Sequence, residues 1–199
     1  MRRWDRLEGL AHVEQLAAGS EGDPMSAAAV ALGWSGVLVQ DVRLFDTRVA
    51  MVVDVDVDAH TARWSQADGG LPMLDGDVLA MWEWPEGREV FPSCVVSLTG
   101  VLVPVGRSWR QALTVARHWR GFAATAIVTA PGGDGVGEEC LLECAYSGVA
   151  VASSQMDRES VAVVQPGRPA RMATARRGTL DRWVEEKLYE RLLADGVLT

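Results

Sequence analysis

The sequence predicts an α+β fold, a largely antiparallel β-rich domain of about 8–10 strands with N-terminal helices, one central covering helix and a C-terminal amphipathic helix. Three observations carry this expectation. Val- and Leu-rich runs of strand length dominate residues 35–105 and 123–164. Helical periodicity is confined to both ends of the chain and to residues 107–122. Gly, Pro, Asp and Ser punctuate the runs at intervals suited to hairpins.

In order along the chain, WDRLEGLAHVEQLAAG (4–19) spaces Trp4, Leu7, Leu10 and Ala18 as on a helix and stops at Gly19. DPMSAAAVALG (23–33) is a second helix, with Asp23 as N-cap, Pro24 at the first helical position and Gly33 as terminator. SGVLVQDVRLF (35–45) and RVAMVVDVDVD (48–58) read as a hairpin about Asp46-Thr47. That turn pairs Leu44 with Val49, Val42 with Met51 and Leu38 with Val55, making this face core together with Val53 and Val57. Strands follow at HTARW (60–64), DVLAMWEW (77–84) and REVFPSCVVSLTGVLVPV (88–105), the last bent or broken at Pro92 and Gly100.

RSWRQALTVARHWRGF (107–122) is the central helix, with Trp109, Ala112, Ala116 and Trp119 as its apolar stripe. AATAIVTA (123–130) is a strand and PGGDGVG (131–137) a loop. EECLLECAY (138–146) and VAVASS (149–154) read as a hairpin about Ser147-Gly148, and SVAVV (160–164) as a closing strand. QPGRPARMATARRG lacks apolar periodicity. TLDRWVEEKLYERLLADG is an amphipathic helix with Thr179 as cap, Gly196 as terminator, and a stripe of Leu180, Trp183, Val184, Leu188 and Leu192. The expected organisation is therefore one β-rich domain over 1–165 with a subdivision near 106, a basic linker over 166–178, and the C-terminal helix over 179–196.

With 48% hydrophobic and 23% charged residues, the chain has the composition of a globular protein, which excludes global disorder. Its net charge of −8 argues against nonspecific nucleic-acid binding, so no nucleic-acid partner is expected. The charge is uneven: residues 41–89 hold eleven acids against four arginines, and residues 90–133 hold four arginines and no acid. Lys187 is the single lysine, a compositional skew that discounts individual arginines as functional signals. Cys94, Cys140 and Cys144 cannot all pair, no apolar signal core follows the first residues, and the alanine run at 27–32 is too short to cross a membrane. A soluble, cytoplasmic protein without membrane association is the expectation.

The most pointed motif is VAMVVDVDVDAH (49–60). On a strand, Asp54, Asp56 and Asp58 would share one face about 6.6–7 Å apart, a spacing at which carboxylates can hold a divalent metal, with His60 as a further ligand. The competing reading, a solvated strand face whose charges discourage edge pairing, is preferred. An EF-hand loop beginning at Asp54 would need Gly at its sixth position and Glu at its twelfth, where Ala59 and Ser65 stand. No cofactor is expected, with a divalent metal kept as the alternative.

Trp64 and Trp84 are candidates for lining a small-ligand pocket, whereas Trp82 is assigned to the core. Arg107, Arg110 and Arg117 form a basic helix face that could meet an acidic partner, although pairing with nearby acids is the commoner arrangement. PGGDGVGEEC lacks the Gly-Lys-Ser/Thr ending of a phosphate loop. Cys140 and Cys144 read as small buried hydrophobes.

The leading expectation is a non-catalytic interaction, adaptor or assembly protein. It would dock a protein partner or a second copy through its C-terminal helix (Trp183, Leu188, Leu192) and its asymmetric charge. A metal-dependent enzyme on the Asp54/Asp56/Asp58 strand and a small-ligand-binding β domain are the alternatives.

Overall fold

The computed structural model describes residues 23–65, 70–84, 91–130, 136–154, 160–172 and 177–199. The predicted helix at 4–19 lies outside the described residues. The fold is α+β, with six α-helices and one six-stranded mixed sheet, mostly antiparallel, among the described residues. The chain divides into two compact units, one of residues 1–53 and 98–175, the other of residues 54–97 and 176–199.

The first unit holds the sheet, in the order β1 (Val37–Leu44), β2 (Thr47–Val55), β3 (Val96–Pro104), β4 (Ala124–Thr129), β5 (Ala150–Ser154) and β6 (Val161–Gln165). β1 pairs with β2 and β5 with β6 in antiparallel fashion, whereas β3, β4 and β5 run parallel. Parallel neighbours need crossovers, and two helices supply them: α4 (Trp109–Trp119) between β3 and β4, and α5 (Glu138–Ser147) between β4 and β5. Every residue of β4 is buried, as a central parallel strand covered on both faces requires.

One face of the sheet is built from small residues. Ala50, Val52, Leu102, Ala126, Val128, Ala150 and Ala152 meet Ala28 and Ala29 of α1 (Pro24–Ala31), so an alanine-rich helix lies close against an alanine-rich sheet. α1 is capped as its sequence predicts, Asp23 accepting from the Met25 and Ser26 amides at 3.3 and 2.9 Å. By strand alternation, Met51, Val101, Val103, Ile127 and Val151 point to the opposite face. There α4 packs on β4 and α5 on β5, with Leu113, Ala116, Trp119, Cys140 and Cys144 buried.

The hairpin turn lies one residue earlier than expected, which shifts each cross-strand partner by two. The loop is Phe45-Asp46, both with positive φ (51° and 57°), and Leu44 pairs with Thr47 and Val42 with Val49. Two positive φ angles define the turn that matches strand twist and normally favours Asn-Gly. A phenylalanine there costs about 1–3 kcal/mol of backbone strain. Its ring instead joins a cluster with His118, Trp119 and Phe122, at centroid distances of 5.6, 5.4 and 6.0 Å. A bulge between Val39 and Val42 restores the inward phase, with Asp41 left-handed (φ 54°) and bonded to Arg48 Nε at 2.8 Å.

Three segments expected as strands are helical. Residues 60–64 belong to α2 (Val57–Trp64), and residues 77–84 form α3 (Gly76–Ala80) and a 3₁₀ turn (Met81–Glu83); Asp56 caps α2 and Asp75 caps α3. Residues 138–146 form α5, whose first turn carries Glu138 and Glu139 and whose end is Gly148 in the left-handed region (φ 68°). Nor is β3 broken at Gly100. A Cβ there would fall 2.3 Å from the Trp34 ring, so the glycine is the seat on which that indole lies.

The second unit contains α2, α3, the 3₁₀ turn and α6 (Thr179–Ala194) around Ala59, Leu79, Val95, Val184, Leu188, Tyr189, Leu192 and Leu198, all buried. Gly196 ends α6 in the left-handed region, as expected. Residues 166–172, read as linker, bond into the first unit: Arg168 N–H donates to Gly148 O, Met172 N–H to Arg120 O, and Arg120 Nη1 to Ala170 O.

Gly100→Ala should lower stability by about 1–3 kcal/mol through overpacking against Trp34. Urea unfolding of the single variant and of Gly100→Ala/Trp34→Leu checks this, and the alanine should cost less when the indole is gone.

Candidate functional site

The predicted Asp strand does not form. β2 ends at Val55, and Asp56 is the N-cap of α2, its Oδ1 accepting the Ala59 amide at 2.8 Å. Asp58 sits in the first helical turn, so Asp54, Asp56 and Asp58 do not share one strand face. The physical reason is the capping competence of aspartate, which offers the backbone an acceptor and starts a helix where alternation alone suggests a strand. His60 is buried, with Nδ1 3.0 Å from the Tyr189 hydroxyl and Nε2 3.4 Å from Thr199 O. No group of three or more His, Cys, Asp or Glu placed to hold a metal occurs among the described residues.

The basic face of α4 is paired within the first unit. Arg110 bonds Glu139 at 2.5 Å, and Arg117 reaches Glu143 at 3.2 Å and Ser147 Oγ at 2.7 Å, all on α5; Arg107 is exposed. Leu188 and Leu192 are 1% exposed in the core of the second unit, and Trp183 is half-buried. Val184, Leu188 and Leu192 of the stripe are thus packed within their own unit, while Trp183 is only half-covered and Leu180 is exposed. Trp64 and Trp84 are exposed (49% and 63%), and neither lines the cleft described below.

That cleft, of about 670 Å³, lies within the second unit and is lined among others by Trp82, Phe91, Cys94, Arg177, Thr179 and Arg182. Its size falls within the usual range for small-ligand sites. Its geometry begins with Glu186. Arg63 and Glu186 pair bidentately, Nη1 to Oε1 at 3.0 Å and Nη2 to Oε2 at 2.8 Å, with both side chains only 2% exposed. Oε2 also accepts the Met73 amide at 2.9 Å, and Arg182 Nη2 lies 3.2 Å from Oε1. Arg63 donates further to Leu71 O, and its guanidinium lies 5.0 Å from the Tyr189 ring centroid.

Held by Glu186 and by Pro92 O at 3.3 Å, the Arg182 guanidinium stacks 3.6 Å from the centroid of Trp82. Trp82 in turn meets Phe91 edge-on at 5.4 Å. Burial pushes the Arg182 pKa down to about 10 against the opposing pull of Glu186 and Glu185. Arg182 Nε and Trp82 Nε1 are buried without a hydrogen-bond partner. Both residues line the cleft, but these two atoms themselves are closed off from solvent.

Arg177 pairs with Glu185, and Cys94 Sγ lies 3.3 Å from Glu185 Oε2 and 3.4 Å from Arg177 Nη2. At the rim, Glu83 Oε1 accepts from the Thr179 amide at 2.7 Å and from its hydroxyl at 2.5 Å. The cap of α6 is therefore Gly178 rather than Thr179, with Asp181 accepting the Gly178 amide at 2.9 Å. The hydrogen bonds from Thr179 hold the Glu83 carboxyl below its ordinary pKa.

Sequence reasoning assigned no role to Arg63, Arg177, Arg182, Glu185, Glu186 or Cys94. One signal was present: Arg182, Glu185, Glu186 and Tyr189 share a helical face through their spacing of three, four and seven. Comparison with known protein families, with curated proteins and with solved structures finds no match. No helix among the described residues is long and apolar enough to cross a membrane.

Glu186→Gln should cost about 3–5 kcal/mol, because two buried guanidiniums lose their counter-charge. Arg63→Met should cost less, since Arg182 still serves Oε1; urea unfolding ranks the two. The Glu83 carboxyl should titrate below the ordinary glutamate value of about 4.3, and Thr179→Ala should move it back up, as read by NMR. Because the folded value is depressed, its contribution to holding α6 is complete above the unfolded pKa and lost as pH falls through the folded one.

Proposed function

We propose that the chain is a non-catalytic binding protein of the adaptor type, and that the cleft of its second unit is the recognition site. The group recognised is planar and apolar and carries an acid, either as a free aromatic carboxylate or as the end of a partner's peptide. The observation that carries this reading is a cleft wall of stacked rings, the Arg182 guanidinium over Trp82 with Phe91 edge-on to it. Phe91 and Trp82 supply the apolar face for a ring, and Arg177 supplies a cation at the rim.

Exposed apolar side chains on the same short elements favour a macromolecular source for the acid. Met81 and Trp84 flank Glu83, and Leu180 adjoins Thr179, all exposed. This keeps the protein-interaction expectation and moves its surface from the α6 stripe to the cleft.

Heteronuclear NMR titration with indole-3-carboxylate, with its amide, and with a short peptide ending in Trp tests the reading. The acid should shift the Trp82 indole and the Cys94 and Thr179 amides, and the amide should bind at least about tenfold more weakly, the loss of one charge-assisted contact. A peptide that binds more tightly than the free acid assigns the site to a protein partner, and the reverse assigns it to a small molecule. Equal binding of acid and amide, or shifts confined to other residues, would overturn it.

A further inference from the structure

We infer that the first unit carries a binding site of its own, a pocket about Trp34 and Arg168 that takes a flat-ringed anion of the nucleoside monophosphate class. The pocket encloses about 410 Å³ between the end of α1 and the starts of β4 and β5. Trp34, Ser35, Thr99, Val163, Pro166 and Arg168 are among its lining residues. Its size falls within the range of small-molecule sites. No acid lines it, although the chain as a whole has a net charge of −8. The site does not depend on the cleft of the second unit.

Two groups of this pocket are held in place by the fold and left without a partner. The Trp34 indole rests on Gly100, and the Trp34 amide donates to Ala29 O at 2.9 Å. The Arg168 stem lies over Gly148, where a Cβ would fall 2.9 Å from its Cδ, and the Arg168 amide donates to Gly148 O at 3.0 Å. Gly167 beside it sits against β5, since a Cβ there would come 2.5 Å from the Ala150 nitrogen. Trp34 is half-buried and Arg168 exposed, and neither the indole N–H nor the guanidinium is bonded to another described residue. Groups seated in this way before a ligand arrives lower the ordering cost of binding.

A second guanidinium adds to the field at the pocket. Arg120 is 3% exposed, commits Nη1 to Ala123 O at 3.1 Å and Ala170 O at 2.6 Å, and pairs with no acid among the described residues. Burial pushes its pKa below the ordinary arginine value, and the neighbouring charge of Arg168 pushes it further. Two like charges with no acid to balance them favour an anion beside the exposed one. A phosphate accepts charge-assisted hydrogen bonds from Arg168, and a base stacks on the indole. Ser35 and Thr99 offer neutral hydroxyls to the sugar between them.

Heteronuclear NMR titration of the full chain with adenosine monophosphate, adenosine and inorganic phosphate tests the site. The nucleotide should shift the Trp34 indole and the Gly33, Gly167 and Arg168 amides. Adenosine and phosphate should each bind at least about tenfold more weakly, one lacking the charge and the other the ring. Arg168→Gln should weaken the nucleotide by roughly tenfold and leave adenosine nearly unchanged. Trp34→Leu should weaken both, and Trp34→Phe should restore most of the loss. Nucleotide and nucleoside binding alike, phosphate binding as tightly as the nucleotide, no saturable shifts, or shifts confined to the Trp82 indole and the second unit would each overturn the assignment. Circular dichroism reads the folding of the variants, and the exposed Arg168 keeps the comparison decisive if a Trp34 variant unfolds.

Discussion

The second unit depends on the carboxylate of Glu186. It lies between two guanidiniums, accepts a backbone amide from the 71–73 segment, and is almost completely removed from water. A buried carboxylate tolerates few arrangements, because each unmet lone pair or unbalanced charge costs several kcal/mol on the order expected for desolvated ions. Replacing the whole set by apolar residues could give equal stability. What the charged set supplies is orientation: it fixes the rotation of α6, brings Arg63 of α2 and Met73 to it, and turns Arg182 onto Trp82. The cleft wall is thus a consequence of how one buried charge is neutralised.

The first unit follows a different logic. Its sheet is covered on both faces by helices, and its interior is made of alanine and valine on one side and larger residues on the other. Shape, not charge, sets the spacing there. Gly100 accepts Trp34, small residues accept α1, and the strained Phe45 turn persists because its ring is held among His118, Trp119 and Phe122. The ion pairs from α4 to α5 lie at the surface, where such contacts contribute little.

The α+β class, α1 with its Asp23 cap, α4, β4, β5 and the end of α6 at Gly196 were all legible, because each rests on a long period or a local cap. The remainder failed where one stretch satisfies two periods. Cys140 and Cys144 are four apart, which is both two strand alternations and one helical turn, and only the acids before them and Gly148 after them distinguish the cases. Asp56 reads as an alternating strand residue until its carboxylate is seen to cap α2. The hairpin was displaced because a loop with two positive φ angles and no glycine gives no sequence signal. Missing α5 also hid the parallel β4–β5 pair, since a crossover helix read as a strand leaves nothing to connect it.

The candidate site was illegible for a reason of another kind. In a chain whose basic residues are nearly all arginine, composition argues for ignoring each one, and Arg63, Arg177 and Arg182 were ignored together. Composition is the wrong measure. What separates a structural guanidinium from a solvated one is its phase relative to acids and to the apolar stripe. Arg182, Glu185, Glu186 and Tyr189 occupy helical positions that place charge on the face already claimed by Val184, Leu188 and Leu192. A helix that buries two acids and an arginine beside its leucines must bring counter-charges from elsewhere in its unit. In this chain those counter-charges are Arg63 and Arg177, and the cleft is lined by Arg177 together with Arg182 of the helix itself.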